Sequence, residues 1–421
     1  MDAPTHSPTG TGHMSGRVLS KPAGVIAACT VGNAVGVTPM VYTVFSLFLI
    51  PISTEFGWPR SAVSIVLLFI AIAGALSYPV IGRLIDRHGG RRIILAGNLL
   101  FAASVAAVAL TPANRWLFYS VFFVLGVTAA IPSPAMFTKV IAGWFDRSRG
   151  FALGFVGGVG NGTGAAISPV FAAYLLGEFG WRGAHLGIAA AIVIVGFPVL
   201  FWLLRDPPDA RITAANQTEG LSLSEARETL EFWLILTAIA LGAGCMTAVF
   251  AHVIPMLVDR NIPLNDAVAV LVTFSMVTAG WQVGMGFVLD KFSRPWIAAP
   301  FYLLAIIGLW ILETGVSFPL LILAGVLMGL GLGTEYGILP YFLSRYFGVR
   351  HYGAISGFAY GLIILIQGVT PFLMDVNFDL RGDYRLAVVV ISVAMLIGTF
   401  ILTRLPSFEQ TPRAIFATRA S

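Results

Sequence analysis

Charged residues are scarce in this chain. Asp, Glu, Lys and Arg make up 11% of its 421 residues and hydrophobic residues 57%, whereas about 25% charged residues is usual in soluble domains. This composition excludes an ordinary soluble protein and indicates a protein of the lipid bilayer. Only two cysteines occur, Cys29 and Cys245, each in an apolar run, so no disulfide framework is expected.

Motifs for nucleotides and metals are also lacking. The sequence contains no glycine–lysine phosphate loop of the Walker type, so ATP is not expected to drive the protein. No Cys/His spacing predicts a metal site, and no nucleophile–base pair stands out. We therefore expect no cofactor, no metal, no nucleic-acid partner and no enzymatic activity.

Long apolar runs are what the chain has instead. A helix that crosses a bilayer needs about 20 mostly apolar residues. This measure gives twelve candidates: 22–50, 60–82, 93–111, 115–141, 151–176, 184–204, 231–257, 266–289, 296–313, 317–344, 353–376 and 385–403.

The polar stretches divide these spans into two sets of six. The longest one, Arg205 to Thr229, separates the sixth span from the seventh. We expect an all-α integral membrane protein with two pseudo-symmetric six-helix bundles. The expected divisions are a disordered tail at 1–20, a bundle at 21–204, a cytosolic linker at 205–229, a bundle at 230–404 and a tail at 405–421.

One loop motif occurs twice. The first copy reads Gly82-Arg-Leu-Ile-Asp86-Arg87-His-Gly-Gly-Arg91-Arg92, and a weaker copy, Gly286-Phe-Val-Leu-Asp290-Lys291-Phe-Ser-Arg294, begins 286 − 82 = 204 residues later. Each copy closes one apolar span and opens the next. A duplicated set of spans with matching loops is typical of a transporter built from two related halves.

The placement of basic residues predicts the orientation. With both ends inside, six of the 25 Lys and Arg residues fall on the outer side. Because basic residues favour the cytosolic side, we expect a multi-pass protein of the inner (plasma) membrane with both termini cytoplasmic.

The first loop copy resembles the signature loop of the major facilitator superfamily, between its second and third spans. Within that superfamily, Glu55-Phe-Gly-Trp-Pro-Arg-Ser-Ala-Val-Ser64 and Trp144-Phe-Asp-Arg-Ser-Arg-Gly-Phe-Ala-Leu-Gly154 are similar to the monocarboxylate and oxalate–formate transporter branch. The resemblance covers about residues 21–404. It implies transport of a small organic acid, often together with protons, by a monomer.

Two positions depart from that branch. Monocarboxylate carriers have an arginine in the eighth span, where this chain has Gln282, and a lysine in the first span, where it offers Met40. These departures leave the transporter prediction standing and weaken the prediction of a simple monocarboxylate as cargo.

Ionisable residues inside spans are costly and are functional candidates by default. Glu335 lies ten residues before Arg345, about 15 Å along a helix, which places it near the midplane. It is the first candidate for proton coupling, and His252 in the seventh span is the second. The alternatives are structural hydrogen bonds to neighbouring helices. Asp375, His185 and Glu313 fall at predicted span ends, where we expect them at the membrane interface.

Neutral polar residues are the candidates for substrate binding. Amides can also bridge helices without binding any cargo, but in the family four of them would fall on cavity-lining spans, and two tyrosines add hydroxyls. The predicted substrate-binding residues are Asn33, Asn161, Gln282, Gln367, Tyr336 and Tyr42.

The signature loops are expected to gate the transporter and not to touch the cargo. Asp86 is predicted to cap a helix or to pair with Arg149 or Arg147, because a carboxylate gains from both a helix N-terminus and nearby arginines. The predicted gating residues are Gly82, Asp86, Arg87, Arg91, Arg92, Arg149 and Asp290.

Together these features predict a secondary transporter that imports a small organic carboxylate, with aromatic acids among the candidates, together with a proton by alternating access. An exporter or facilitator of a neutral or hydrophobic molecule is the nearest alternative. A transporter-derived sensor is a remote one, because the short tails and linker offer no output domain.

Overall fold

The computed structural model describes residues 21–145, 149–206, 220–292, 294–348 and 351–408. These residues are largely helical, and one isolated β-bridge joins Gly220 to Gly348. The α-helices are Lys21–Ala34, Thr43–Phe56, Arg60–His88, Gly90–Ala109, Arg115–Ala129, Pro134–Trp144, Arg149–Ala191, Phe197–Leu203, Leu223–Arg227, Leu230–Val258, Leu264–Phe292, Ala299–Thr314, Phe318–Phe347, Tyr352–Arg381 and Arg385–Arg404. Shorter turns are the π-helical Thr38–Tyr42 and Ile192–Gly196 and the 3₁₀-helical Pro295–Ala298.

Eleven segments of the described chain are long and apolar enough to cross a bilayer. One of them, Phe155–Leu203, has 49 residues, about 73 Å of helix, whereas a bilayer core is about 30 Å thick. Gly180 breaks it with non-helical angles, φ 66° and ψ 179°. Gly187 packs against Leu175, which is possible only if the chain turns back at the break.

The long segment is therefore two antiparallel spans, 149–179 and 181–203, and the total is the twelve that the sequence predicts. In the order of the chain, the spans are numbered one to twelve. Span one joins helices Lys21–Ala34 and Thr43–Phe56, span four joins Arg115–Ala129 and Pro134–Trp144, and span seven begins at Leu230.

Span one is not a regular helix. Pro39 lies in the π-helical turn Thr38–Tyr42, where its missing N–H would otherwise interrupt an α-helix. The turn lets the helix continue past the proline. It leaves Tyr42 at the point where the second part of span one begins, near the middle of the membrane.

Span five packs closely on two neighbours. A Cβ atom at Gly160 or Gly164 would overlap the backbone of span one, and one at Gly162 would overlap Ala279 of span eight. Such small-residue contacts let membrane helices approach closely. Spans one and five belong to the first bundle and span eight to the second, so this packing joins the two halves.

Spans two and eleven meet at one end and part at the other. Gly368 of span eleven packs against Leu67, Leu68 and Ala71 of span two. Gly361, two turns away on the same side of the helix, would meet no atom within 4 Å if it carried a Cβ. The halves therefore diverge toward the end that carries the Gly82–Arg92 loop, called here the loop face. The opposite end is called the Arg60 face.

Gly164→Ala is expected to destabilise the protein, because the new methyl group would overlap Ala34 and Pro39. Overpacking of this kind costs about 1–3 kcal/mol, so the thermal unfolding midpoint of the purified protein should fall by several degrees. Gly157→Ala on the same helix is the control, since its Cβ meets nothing within 4 Å. Equal midpoints for the two variants would contradict the tight contact.

Candidate functional site

The space between the two halves is lined by tyrosines from both of them. Tyr42 of span one lies close enough to Tyr78 of span two and Tyr336 of span ten for electrostatic interaction. Tyr42, Tyr78 and Ile364 of span eleven share the wall of one small cavity. Tyr336 remains 39% exposed, so its ring borders open space. This space is called the chamber.

Asn161 lies on the chamber side of span five. The opposite side of that helix carries exposed apolar residues suited to lipid, namely Phe155, Val159, Ile167 and Val170. Spans one and eight cover the two flanks. Asn161 and Gly157, one turn apart, occupy the remaining side. The Asn161 Oδ1 atom is buried and has no hydrogen-bond partner among the described residues, so it can accept a bond from a ligand.

Gln282 has the corresponding place on span eight. Met276 and Phe287, exposed to 58% and 73%, mark the lipid side of this helix. Ala279 and Val283 face span five, and Gln282 is half-buried on the side away from the lipid. Gln367 and Tyr360 of span eleven lie two turns apart on one side of their helix.

Asn33 has a different environment from the other amides. It is 1% exposed, and its Nδ2 donates to the carbonyl of Val156 in span five at 3.2 Å. Its observed role is to bridge spans one and five, and substrate binding by Asn33 stays a prediction.

Glu335 is buried within the second half. A Cβ at Gly242 of span seven would overlap both the Glu335 carboxyl and the Tyr302 hydroxyl of span nine. Glu335 is 1% exposed, and neither carboxyl oxygen makes a hydrogen bond of ordinary geometry with a described residue. The Tyr302 hydroxyl lies beside this carboxyl, but a carboxylate that lacks a cationic partner is costly in such a place, so the arrangement favours the protonated acid.

His252 lies beside Asp375, and both side chains are 0% exposed. The His252 Nε2 atom is 2.9 Å from Asp375 Oδ2, and Nδ1 is 2.7 Å from the carbonyl oxygen of Ala248. The expectation that Asp375 lies at the interface is wrong, because its helix continues to Arg381 and Asp375 is enclosed in the bundle. His185 is likewise buried, since span six begins directly after Gly180.

Arg60, the first residue of span two, ties the two halves together. Its guanidinium forms a two-pronged ion pair with Asp259 at the end of span seven, at 2.6 and 2.8 Å. It also donates to the Tyr384 hydroxyl at 2.9 Å and lies 4.0 Å from the centre of the Phe378 ring. Burial raises the pKa of Tyr384, so its hydroxyl stays neutral beside the arginine.

Asp379 of span eleven completes this contact. Its two carboxylate oxygens accept the backbone N–H groups of Arg60 and Ser61, at 3.0 and 2.9 Å. Those are the first free donors of span two, and Pro59 at the cap position provides no side-chain acceptor. One half thus caps a helix of the other. Arg60, Asp259, Phe378, Asp379 and Tyr384 are together called the Arg60 gate.

Glu55, in the motif shared with the monocarboxylate branch, holds the first half together at the same face. Its carboxylate accepts bonds from the Trp181 indole and the Arg182 guanidinium of span six. Arg182 also stacks on the Trp181 ring at 4.2 Å. The motif therefore combines an internal brace, Glu55, with the gate residue Arg60.

The Gly82–Arg92 loop binds within its own half. Gly89 has φ 84°, which favours glycine, and a Cβ there would crowd the Asp206 carboxylate. Asp206 accepts the backbone N–H of Arg91 at 2.9 Å, and Lys139 donates to the carbonyl of Gly82 at 2.8 Å. Asp206 is the observed partner of this helix start.

The other predicted gating residues show no role in the part of the chain that the structure describes. Arg87 and Arg92 are exposed. The side chains of Asp86, Arg149 and Asp290, and Arg147 entirely, lie outside the described part of the chain, so gating by them stays a prediction. Sequence reasoning missed Tyr78, Asp259, Asp375, Asp379 and Tyr384. Charges at span ends were the available signal, but nothing in the sequence pairs them.

Residues 31–371 match the family model of the Major Facilitator Superfamily. The chain belongs to this superfamily. It is therefore a membrane transporter of small molecules and not an enzyme, and the predicted all-helical fold with two bundles is confirmed.

Curated relatives of this superfamily are distant. Monocarboxylate transporter 11 of Homo sapiens is 27% identical over 361 residues, 80% of this chain and 73% of the relative. The 3-(3-hydroxy-phenyl)propionate transporter of Escherichia coli (strain K12) is 26% identical over 333 residues, 75% of this chain and 76% of the relative. The resemblance to the monocarboxylate branch is thereby confirmed.

A solved structure shows the same fold. The crystal structure of a bacterial homologue of the human lysosomal transporter Spinster, in an inward-facing and unoccupied conformation, superposes with a TM-score of 0.71 at 17% identity. The match covers 94% of this chain and 98% of that one.

Asp259→Asn is expected to open the Arg60 face of this superfamily member. Ser46 is buried, and its hydroxyl accepts the Ile254 N–H across the two halves. The test replaces Ser46 by cysteine and measures its labelling by a water-soluble maleimide in lipid nanodiscs. Loss of the ion pair should raise the labelling rate about tenfold, the factor that corresponds to about 1.4 kcal/mol. Glu178→Gln, an exposed carboxylate outside the gate, is the control. An unchanged rate would remove Asp259 from the gate.

Proposed function

We propose that the protein imports a small organic carboxylate together with protons by alternating access. The observation that carries the proposal is the chamber, where tyrosines and amides from both halves surround open space next to a buried acid. Substrate sites of such transporters lie near the midplane between the repeats. Aromatic acids are the first candidates, because Tyr42, Tyr78 and Tyr336 offer ring faces as well as hydroxyls.

The printed names of the relatives support an acid as cargo. One is a monocarboxylate transporter and another transports a hydroxyphenyl propionate. The chamber is suited to such cargo, since amide N–H and tyrosine O–H groups donate to carboxyl oxygens. Asn161 and Gln282 are the proposed orienting residues, with Gln367 on the facing span.

Proton coupling is proposed to involve Glu335. Its carboxyl is buried beside Tyr302, and Glu335 directly precedes Tyr336 on span ten. A change in the position of span ten that admits water would let the acid release its proton. Coupling then follows because the closed arrangement accepts the neutral acid more readily than the anion.

The orientation is proposed from charge. The loop face carries Arg83, Arg87, Arg91 and Arg92, and basic residues concentrate on the cytosolic side. The Arg60 face is then outside, both termini are in the cytoplasm, and the chamber opens inward. A monomer in the inner (plasma) membrane is the proposed working unit.

A neutral cargo is the second candidate. Gln282 is an amide where the monocarboxylate branch has an arginine, and Lys139 donates to the carbonyl of Gly82 near the loop face. A chamber without a fixed cation at mid-depth is suited to a neutral or protonated compound, carried by an exporter or a facilitator.

Uptake of radiolabelled aromatic and aliphatic carboxylates into proteoliposomes is expected to rise with an inward proton gradient. Glu335→Gln keeps the shape of the neutral acid but cannot release a proton, so it should lose the stimulation while exchange without a gradient persists. Ser275→Ala, a buried hydroxyl that bonds within its own helix, is the control. Uptake that ignores both the gradient and Glu335→Gln would exclude proton coupling through this residue.

Gln282→Leu is expected to weaken cargo binding and to leave the maximal rate largely unchanged. One hydrogen bond contributes about 0.5–1.5 kcal/mol, so KM should rise about three- to tenfold. Asn33→Leu is the comparison, since Asn33 bridges spans one and five and its loss should lower protein stability more than KM. A KM unaffected by Gln282→Leu would move that residue out of the binding site.

A further inference from the structure

The buried His252–Asp375 pair places an imidazole nitrogen beside a carboxylate oxygen. The Ala248 carbonyl can only accept a hydrogen bond, so His252 Nδ1, 2.7 Å away, carries a hydrogen. Nε2 then faces Asp375 Oδ2 at 2.9 Å. An attractive contact at this distance needs a hydrogen on one of the two atoms, either as imidazolium with carboxylate or as imidazole with carboxylic acid. Both forms have no net charge.

The pair is poorly built as a static brace. Structural ion pairs in membrane interiors need further donors for their remaining lone pairs. Yet neither oxygen of Asp375 has a hydrogen bond of ordinary geometry among the described residues, although both side chains are fully buried. Loss of the shared proton would leave the Asp375 carboxylate as a fully buried anion, with the lone pair of His252 Nε2 directed at it.

The pair lies directly under the Arg60 gate, on the same two helices. Asp375 is one turn from Asp379 on span eleven, and His252 is two turns from Asp259 on span seven. The Tyr384 ring lies 5.6 Å from the His252 ring, and its hydroxyl binds Arg60. Water can reach the pair from this face only after spans seven and eleven move away from span two.

Several charged and titratable groups surround the pair at the Arg60 face. Span one contributes only the neutral hydroxyl of Ser46, on Ile254. Span nine places Glu313 near Arg260 and Arg385, farther along the same face. The titratable and charged groups that face the pair from the other elements are Arg60 of span two, Asp259 after span seven, Asp379 of span eleven and Tyr384 before span twelve.

We propose that His252 and Asp375 together form a proton-binding site, and that the bound proton keeps the Arg60 gate closed. The proposal rests on the proton coupling put forward under Proposed function, and it adds a second site, ten residues farther along span seven than Gly242, which contacts the Glu335 carboxyl. A proton taken from the Arg60 side makes the pair neutral, which permits the dry, closed arrangement. Release of the proton charges the pair, which then requires water and an open gate. Closed-state stability is therefore present at low pH and lost as pH rises.

The test measures gate opening without any cargo. Cysteines at the exposed loop positions Ala113 and Val316, one in each half at the Arg60 face, carry spin labels in a background with Cys29 and Cys245 replaced by alanine. Electron–electron distance measurements in nanodiscs follow the separation from about pH 5 to about pH 9, a range that brackets imidazole titration.

In the wild type, the fraction of molecules with a longer distance between the two spin labels is expected to increase several-fold as pH rises. Asp375→Asn, which resembles the protonated acid, should keep the short distance throughout. His252→Gln should change the pH at which the longer distance appears, because the imidazole then no longer takes part in proton binding. Glu313→Gln, a half-buried carboxyl at the same face, should behave as the wild type. Each variant must elute as a single species on gel filtration.

The outcomes separate this proposal from the proposed function. A wild-type distance that does not respond to pH, or an Asp375→Asn variant with the wild-type response, overturns the site even if gradient-driven uptake is observed. A pH-dependent distance that Asp375→Asn abolishes supports the site, and failure of gradient-driven uptake would then remove only the symport proposal. If Asp375→Asn does not fold, the His252→Gln variant decides the question. A transition at the same pH as in the wild type would then overturn the site.

Discussion

The closed face of the transporter depends on one guanidinium. Arg60 stands at the first turn of span two and interacts with the ends of spans seven, eleven and twelve. Its backbone is capped by Asp379 from the other half. Because the acceptors come from three separate helices, the second bundle can leave span two only if all these contacts break together. Such a set of contacts favours two discrete states over gradual opening.

The remaining contacts between the halves are of a different kind. Spans five and eight approach through Gly158 and Gly162, and spans two and eleven through Gly368. Backbone contacts of this type have no charged partners to separate and provide a smooth surface about which one half can rock. The polar gate therefore determines whether the Arg60 face is closed, while the glycine contacts keep the halves together during the change.

The fold and the site were not equally predictable from sequence. Scarce charges, twelve apolar runs and the duplicated loop suffice for the fold, because bilayer thickness fixes helix length. The resemblance to the superfamily also predicts that Asn161 and Gln282 lie on cavity-lining spans. The gate was beyond such reasoning, since Arg60 and Asp259 are 199 residues apart and no local pattern pairs them. Asp375 was assigned to the interface because apolar runs underestimate helices that extend past the hydrophobic core, as span eleven does to Arg381.

The two halves share a fold but differ in chemistry. Among the described residues, the fully buried carboxyl groups are Glu335 and Asp375, and both lie in the second half. Buried polar groups of the first half are amides, hydroxyls and His185. Because burial strongly disfavours a lone anion, a change in the protonation of these two carboxyl groups would alter the energy of the second half, whereas the amides and hydroxyls of the first half take up no proton. The shared fold thus supplies the symmetric frame for rocking, and the buried acids through which proton coupling is proposed distinguish one half from the other.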